Sequence, residues 1–314
     1  GAAALRIDLD DVRSDLDVHV RHGAQILARA DADLAAETSL GRESILLDRE
    51  SDPPLEAGRW FVNVFDPLEL GIVPFTIHVT FGRTPPPSLL PIPPFRVPID
   101  ALDQAVLCTV ELLGPEGGGS GTILTPDGLI LTNHHVVSTA AGGVVEDGEL
   151  VVGVTLDAQI PSLELFRARV LEYDEAVDLA LVQVVSGLYG QPLPVGYRFP
   201  YLDFGDPSRT RIGDPIQVLG YPVAGGSGSR VSITFTRGVV SGFDNTDVGL
   251  VIKTDADISS GNSGGAALDG ECRLIGVPSY VVPESEGHTQ MGYIHAVSLV
   301  PAAWREEIER RRTR

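Results

Sequence analysis

From Leu5 to Ala296 the chain keeps returning to one pattern: a short run of aliphatic, β-branched or aromatic residues, closed by glycine, proline or aspartate. Runs that recur about every eight to twelve residues, with glycine-rich turns between them, build sandwiches and barrels; a parallel sheet would need long helical segments in between. An all-β chain is the expectation. Its first part, up to about Arg83, holds Leu16-Asp17-Val18-His19-Val20, Ser44-Ile45-Leu46-Leu47, Arg59-Trp60-Phe61-Val62-Asn63-Val64 and Phe75-Thr76-Ile77-His78-Val79-Thr80. Alternation at period two buries one face of each run and predicts a β-sandwich over residues 1–83.

Prolines then crowd residues 84–98, at Pro85, Pro86, Pro87, Pro91, Pro93, Pro94 and Pro98. A residue without an N–H cannot serve a strand ladder and favours extended polyproline conformation, so this tract is expected to be a semi-rigid linker. Residues 99–314 form the second expected domain, and 43% hydrophobic content is ample for two cores.

Strands resume with Ala105 to Leu113, Gly121 to Leu124 and Leu129 to Leu131. Thr125-Pro126-Asp127-Gly128 joins the last two as a hairpin, with proline presetting the first central position and glycine closing the turn. Leu150 to Val154, Phe166 to Leu171 and Leu179 to Val185 complete a first six-stranded barrel. A second barrel draws on Pro215 to Gly220, Ser232 to Phe235, Gly238 to Ser241, Leu250 to Thr254, the residues after Ser263, Leu274 to Val277 and Gly292 to Ala296. From Pro301 a short helix is expected, with Trp304 and Ile308 on one face and Arg310, Arg311 and Arg312 near its C-terminus, where cations are favoured.

Chemistry concentrates at Gly261-Asn262-Ser263-Gly264-Gly265. Glycines on both sides of a hydroxyl make a tight turn that brings backbone N–H groups near whatever the hydroxyl attacks. The G-x-S-x-G pattern occurs in two unrelated nucleophile designs, which chain order separates. In an α/β-hydrolase the acid and the histidine follow the serine, and the roughly fifty residues after Ser263 are too few for that fold. Upstream, Leu129-Ile130-Leu131-Thr132-Asn133-His134-His135-Val136-Val137 carries a histidine at a strand end, and Val177-Asp178-Leu179-Ala180-Leu181-Val182 an aspartate entering another strand. The order His, Asp, Ser is that of the chymotrypsin-like serine proteases.

Together with Gly119-Ser120-Gly121-Thr122-Ile123-Leu124, these motifs resemble a bacterial trypsin-like serine protease of the HtrA (Deg) type. In the first domain, Ser14 to Val20, Gly41 to Ile45 and Ala57 to Val62 resemble the bacterial pre-peptidase C-terminal (PPC) β-sandwich. The implied architecture is a PPC-like sandwich joined by a Pro-rich linker to a chymotrypsin-like double β-barrel with a short C-terminal helix. The implied activity is a serine endopeptidase working through an acyl-enzyme. A catalytically silent scaffold with a protease fold, or an esterase using the same three residues, are the alternatives.

The resemblance implies Ser263 as nucleophile, His135 as base and Asp178 as the acid that orients it, with the amides of Gly261 and Ser263 as oxyanion donors. His135 is preferred over His134 because the family's base directly precedes Val-Val, and because neighbours on an extended strand face opposite ways. Asp178 is preferred over Asp174 and Glu175 because it alone immediately precedes the apolar run. By the family's layout Asp257, Ile258 and Ser279 border the pocket for the side chain before the scissile bond. Asp257, six residues before Ser263, stands where trypsin carries its basic-specific acid, whereas Ile258 fits the aliphatic preference of HtrA-type enzymes. Asn262 rather than an aspartate precedes the nucleophile, so no buried carboxylate there calls for a new N-terminal ammonium. No PDZ domain is expected in the short tail after Val300.

The formal charge of −20, with 43 acidic against 23 basic residues, argues against a nucleic-acid partner, because phosphate binding relies on Lys and Arg. No apolar run approaches a membrane span, and the first residues do not form a signal peptide. A protein or peptide substrate is the expected partner, no cofactor is called for, and the oligomeric state stays open. The resemblance implies a secreted or periplasmic location. Asp15 and Asp17 are carboxylates of a kind that ligates calcium, but solvated strand-end acids are the preferred explanation and no metal site is assigned. Cys108 and Cys272 either pair or stay as buried free thiols.

Overall fold

The computed structural model describes residues 3–10, 16–36, 42–66, 74–115, 117–139, 143–146, 150–159, 162–222, 232–247, 249–282 and 291–313. They fall into two units, one of residues 1–92 with 189–192, the other of residues 93–188 with 193–314.

The first unit is a sandwich of two three-stranded antiparallel sheets. Its strands are β1 (Ala4–Asp10), β2 (Asp17–His22), β3 (Leu34–Ala36), β4 (Glu43–Leu47), β5 (Trp60–Phe65) and β6 (Thr76–Gly82). The sheets run β4-β1-β6 and β3-β2-β5. Register puts Leu5 opposite Leu47 and Ile7 opposite Ile45, and Val18 and Val20 opposite Val64 and Val62. These side chains form one apolar core between the sheets. On the other face of β1, Arg6 and Asp8 are also buried, because the proline tract lies over them. Asp8 accepts from the Ser88 hydroxyl at 2.8 Å and the Leu89 amide at 2.7 Å, and the Pro86 carbonyl accepts from Arg6 Nε at 2.7 Å. Prolines offer carbonyls without N–H groups, so Ser88 and Leu89 supply the donors. Asp17 is buried and ion-paired with Arg29, not solvated as its strand-end position suggested, while Asp15 lies outside the described residues. No cluster of metal-ligating side chains occurs among the described residues.

The second unit opens with α1 (Ala101–Cys108), where the apolar run suggested a strand from Ala105. Asp100 caps it by accepting from the Asp103 amide at 2.8 Å, so the run is helical up to Cys108 and extended from Thr109. There follow β7 (Thr109–Gly114), β8 (Gly117–Ile123), β9 (Leu129–Thr132), the helical turn α2 (His134–Val137), β10 (Leu150–Val154), β11 (Leu163–Asp174) and β12 (Leu179–Gly187). They close a barrel in the order β10-β11-β12-β9-β8-β7. The β8–β9 turn is the expected one, with the Gly128 amide 3.0 Å from the Thr125 carbonyl and Gly128 at φ +81°.

β13 (Pro215–Gly220), β14 (Thr234–Thr246), β15 (Gly249–Thr254), β16 (Ala266–Leu268), β17 (Leu274–Val282) and β18 (Met291–Ala296) close the second barrel as β13-β14-β15-β18-β17-β16. The two expected segments at Ser232 and Gly238 belong to one strand, β14, which bends at a bulge between Val240 and Gly242. Gly238 marks close approach rather than a turn, since a Cβ there would lie 2.3 Å from Asp255 Oδ1.

Helix α3 (Ala302–Arg312) buries Trp304 and Ile308 in a cluster shared with Leu131, Leu181 and Leu268. The Trp304 indole N–H donates to Glu172, and Arg312 reaches the carbonyls of Leu124 and Leu202. Arg312 and, through Asp127 and Gln183, Arg311 hold the helix down, Arg310 pairs with Glu307 on the helix itself, and the three do not form a free basic arm. Trp304→Ala should lower the unfolding free energy of this unit by about 3–5 kcal/mol, measured by urea titration; a change under about 1 kcal/mol would contradict this packing. Cys108 and Cys272 are both free thiols, Cys108 buried and Cys272 partly so. Burial pushes both thiols up, which keeps them protonated and poorly reactive. Among the described residues no helix is long and apolar enough to cross a membrane.

Candidate active site

β9 ends at Thr132, and Asn133 leads into the one-turn helix that carries His134 and His135. Alternation along a strand therefore does not separate the two histidines; the helical turn does. His135 Nδ1 lies 2.9 and 3.1 Å from the two carboxylate oxygens of Asp178, and its backbone amide donates to Oδ1 at 3.0 Å. His134 stacks on Tyr173, with ring centroids 4.8 Å apart. Asp174, the rival acid, accepts from the amides of Ala176 and Val177 and so serves its own turn.

Asp178 adopts φ +50°, a left-handed conformation that costs an aspartate on the order of 1 kcal/mol or more. Tertiary bonds hold it there. The buried Asn133 side chain donates to the Asp178 carbonyl at 2.8 Å, and the Ser279 hydroxyl donates to Oδ2 at 2.8 Å. Burial pushes the Asp178 carboxyl up, but the hydrogen bonds and charge of His135 and the Ser279 hydroxyl outweigh it and hold it below the usual carboxylate range. An ionised carboxylate only accepts, so in the neutral ring of His135 it is Nδ1 that carries the proton, and Nε2 is the acceptor.

Ser263 sits in a turn of two successive reversals, closed by Asn262 N–H to the Ser259 carbonyl and Gly265 N–H to the Asn262 carbonyl, each at 3.0 Å. Gly264, at φ +85°, packs so closely that a Cβ would lie 2.1 Å from the Ser120 carbonyl oxygen. The Ser263 hydroxyl donates to the Ser279 carbonyl at 2.8 Å. No hydrogen bond among the described residues joins Ser263 to His135. Ser263 and Asp178 thus meet on one residue, Ser279, through its carbonyl and its hydroxyl. Hydrogen bonds of this kind are often unmade before substrate binds. The amides of Gly261 and Ser263 donate to no described residue.

Of the residues expected to border the pocket, Asp257 is exposed and Ile258 is buried in the core of the second barrel, against Gly292. Ser279 is buried and faces Asp178. Beside His135 a cleft of about 350 Å³ opens, floored by Gly114, Gly117 and Gly118 and bordered by Val136 and Thr139.

Sequence reasoning gave no role to Asn133 or His295. Asn133 has a local hint, its place directly before the histidines; His295 has none. His295, on β18, is buried and hydrogen-bonded to the backbone of Val177. Burial lowers its pKa below the usual histidine value; the charge of Asp178 and the Val177 bond raise it, and the charge of His135 lowers it. Because the folded-state value is depressed, the unfolded chain takes up the extra proton, and stability falls as the pH drops below the ordinary histidine range. His295→Gln should lose less Tm than the parent between about pH 7.5 and pH 5; an equal loss in both proteins would remove His295 as the source.

The model of the trypsin-like peptidase domain matches residues 119–277, just over half of the chain. A probable periplasmic serine endoprotease, DegP-like, from Bartonella henselae is 30% identical over 203 residues, covering 62% of this chain and 33% of that protein. The proteins of the same name from Chlamydia trachomatis and Rickettsia prowazekii are 30% and 32% identical, covering 56% and 51% of this chain and 30% and 27% of their own lengths. The chain thus spans about a third or less of these curated relatives. Among solved structures, the HtrA-type protease AlgW with a tripeptide superposes with a TM-score of 0.51 at 24% identity, covering 67% of this chain and 63% of that one, a likeness of fold. Two closed barrels, a glycine-flanked serine turn and a matched stretch that runs from Gly119 through Ser263 lead to one conclusion: the chain belongs to the trypsin-like peptidase family.

Proposed function

We propose that this chain is an HtrA-type serine endopeptidase whose Ser263, His135 and Asp178 hydrolyse peptide bonds through an acyl-enzyme. The observation that carries this is the short His135–Asp178 pair, linked to the Ser263 hydroxyl through the two oxygens of Ser279. Ser263 Oγ attacks the scissile carbonyl carbon while His135 Nε2 takes its proton, and Asp178 stabilises the imidazolium that forms. The carbonyl oxygen, now negative, accepts from the amides of Gly261 and Ser263. As the C–N bond breaks, His135 returns the proton to the leaving amine. Water then attacks the acyl carbon with the same base, releasing the acid and restoring Ser263.

Two features favour an extended peptide as the substrate. β16 pairs with β17 only between Leu274 and Gly276, so β17 offers an unpaired edge from Ser279 onward among the described residues. A substrate N–H bonded to the Ser279 carbonyl would free the Ser263 hydroxyl to turn toward His135. The cleft floored by three glycines beside His135 suits the residues on the leaving side of the bond. Asp257 is exposed and is not the buried acid that a basic side chain before the scissile bond would call for, which favours an aliphatic side chain over Arg or Lys.

Residues 1–83 would be a PPC-like accessory domain that engages substrate or tethers the enzyme, residues 84–98 the connecting tract, and residues 99–314 the peptidase domain. The DegP-like relatives favour a periplasmic setting. The hydroxyl's present partner favours a second explanation, a silent scaffold. Fluorophosphonate labelling separates the two, with the adduct expected on Ser263 and lost in His135→Ala. Cleavage sites mapped by mass spectrometry in a denatured protein mixture should then cluster after aliphatic residues; cuts only after Arg or Lys would restore Asp257 as the determinant.

A further inference from the structure

Ser120 lies on β8, in the first barrel, and is fully buried. Its hydroxyl donates to the carbonyl of Gly261 at 2.6 Å and accepts from the amide of Tyr221 at 2.8 Å. Its own amide donates to the carbonyl of Ser263 at 2.8 Å, and its carbonyl accepts from the Thr132 hydroxyl at 2.7 Å. One residue therefore grips the serine turn at both ends, by Gly261 and by Ser263.

The hydroxyl has a single proton to give. The Tyr221 N–H takes up its acceptor side, which leaves that proton for Gly261. Gly261 sits at φ +96°, and a glycine peptide can turn over at little steric cost. The Gly261–Asn262 peptide is held from both sides, by the Asn262 N–H on the Ser259 carbonyl and by the Ser120 hydroxyl on the Gly261 carbonyl. We propose that Ser120 is a positioning residue for the oxyanion donors: its hydroxyl fixes the Gly261–Asn262 peptide, which lies between the two peptides that carry the Gly261 and Ser263 N–H groups, and so holds both amides in place to receive the developing negative charge. This rests on the peptidase function proposed above. Binding of the substrate's ground state does not depend on that alignment to the same degree, because the oxygen becomes an anion only in the transition state.

The test compares the full chain with Ser120→Ala and with Thr155→Val. Thr155 belongs to the same buried network, its hydroxyl 2.6 Å from that of Tyr221, but it does not touch the serine turn. Active sites are counted by saturating fluorophosphonate labelling. Ser120→Ala should lose about ten- to a hundredfold in kcat with KM changed less than about threefold, and a peptide boronic acid should bind more weakly in the same proportion. Thr155→Val should lose Tm comparably yet keep kcat. Equal kcat in Ser120→Ala and the parent, a loss confined to KM, an equal kcat loss in Thr155→Val, or a Ser120→Ala protein that does not fold each overturns the proposal, the last by making the hydroxyl a structural strut. A parent protein that neither takes the label nor cleaves peptide overturns the peptidase function itself, a result distinct from all of these.

Discussion

Ser263→Ala is expected to lower kcat by about five to six orders of magnitude while leaving the fold intact. Without the hydroxyl, water must attack the substrate directly, and only the oxyanion donors and substrate binding still help; such residual catalysis is about 10³–10⁴-fold over water. The structural cost is small. The Ser263 side chain makes one hydrogen bond, to the Ser279 carbonyl, and lies at a partly exposed position. Tm should therefore move by no more than a few degrees. Measured on a peptide substrate with trace contamination excluded by affinity purification, a loss of less than about a hundredfold would sink Ser263 as the nucleophile.

The second large effect is that of Asp178→Asn, for which kcat should fall by about 10⁴. Asparagine keeps the shape but can present N–H where the carboxylate accepts. Three donors converge on Asp178: the His135 ring, the His135 amide and the Ser279 hydroxyl. An asparagine oxygen cannot serve all of them, and the imidazole is pushed to the tautomer that puts a proton on Nε2, where none can be accepted from Ser263. The same substitution has a pH signature. In the parent, the folded-state carboxyl lies below its unfolded value, so its bonds contribute in full above the ordinary carboxylate range, and the contribution is lost as the pH falls through the depressed value. The variant has no group to protonate there, so the gap in stability between parent and variant should close on acidification. A gap that stays constant from neutral pH to about pH 3 would show that the depressed carboxyl contributes nothing.

Legibility in the sequence followed the range of the forces involved. The Thr125-Pro126-Asp127-Gly128 turn, the strands it joins and the helix after Pro301 were readable because a few neighbouring residues set them. Helix α1 was misread because Ala105-Val106-Leu107-Cys108 suits a buried strand as well as a buried helix, and the cap at Asp100 and Asp103 decides between them. β14 was split in two because Gly238 looks like a turn residue, whereas its missing side chain makes room for Asp255 and Ala256, about seventeen residues further on.

What the sequence alone determined, then, was the strand-rich character, the two barrels, and the three residues whose types and order carry the proposed chemistry. What only the tertiary structure decided is how those residues are held. Ser279, named as a pocket wall, donates to Asp178; Asn133 steadies the left-handed backbone of that aspartate; Ser120 reaches across to Gly261. Each is a contact between residues 45 to 141 positions apart along the chain. No local pattern encodes such a pairing, because its energy exists only once barrel closure has brought the two strands within hydrogen-bond reach and taken the groups out of water.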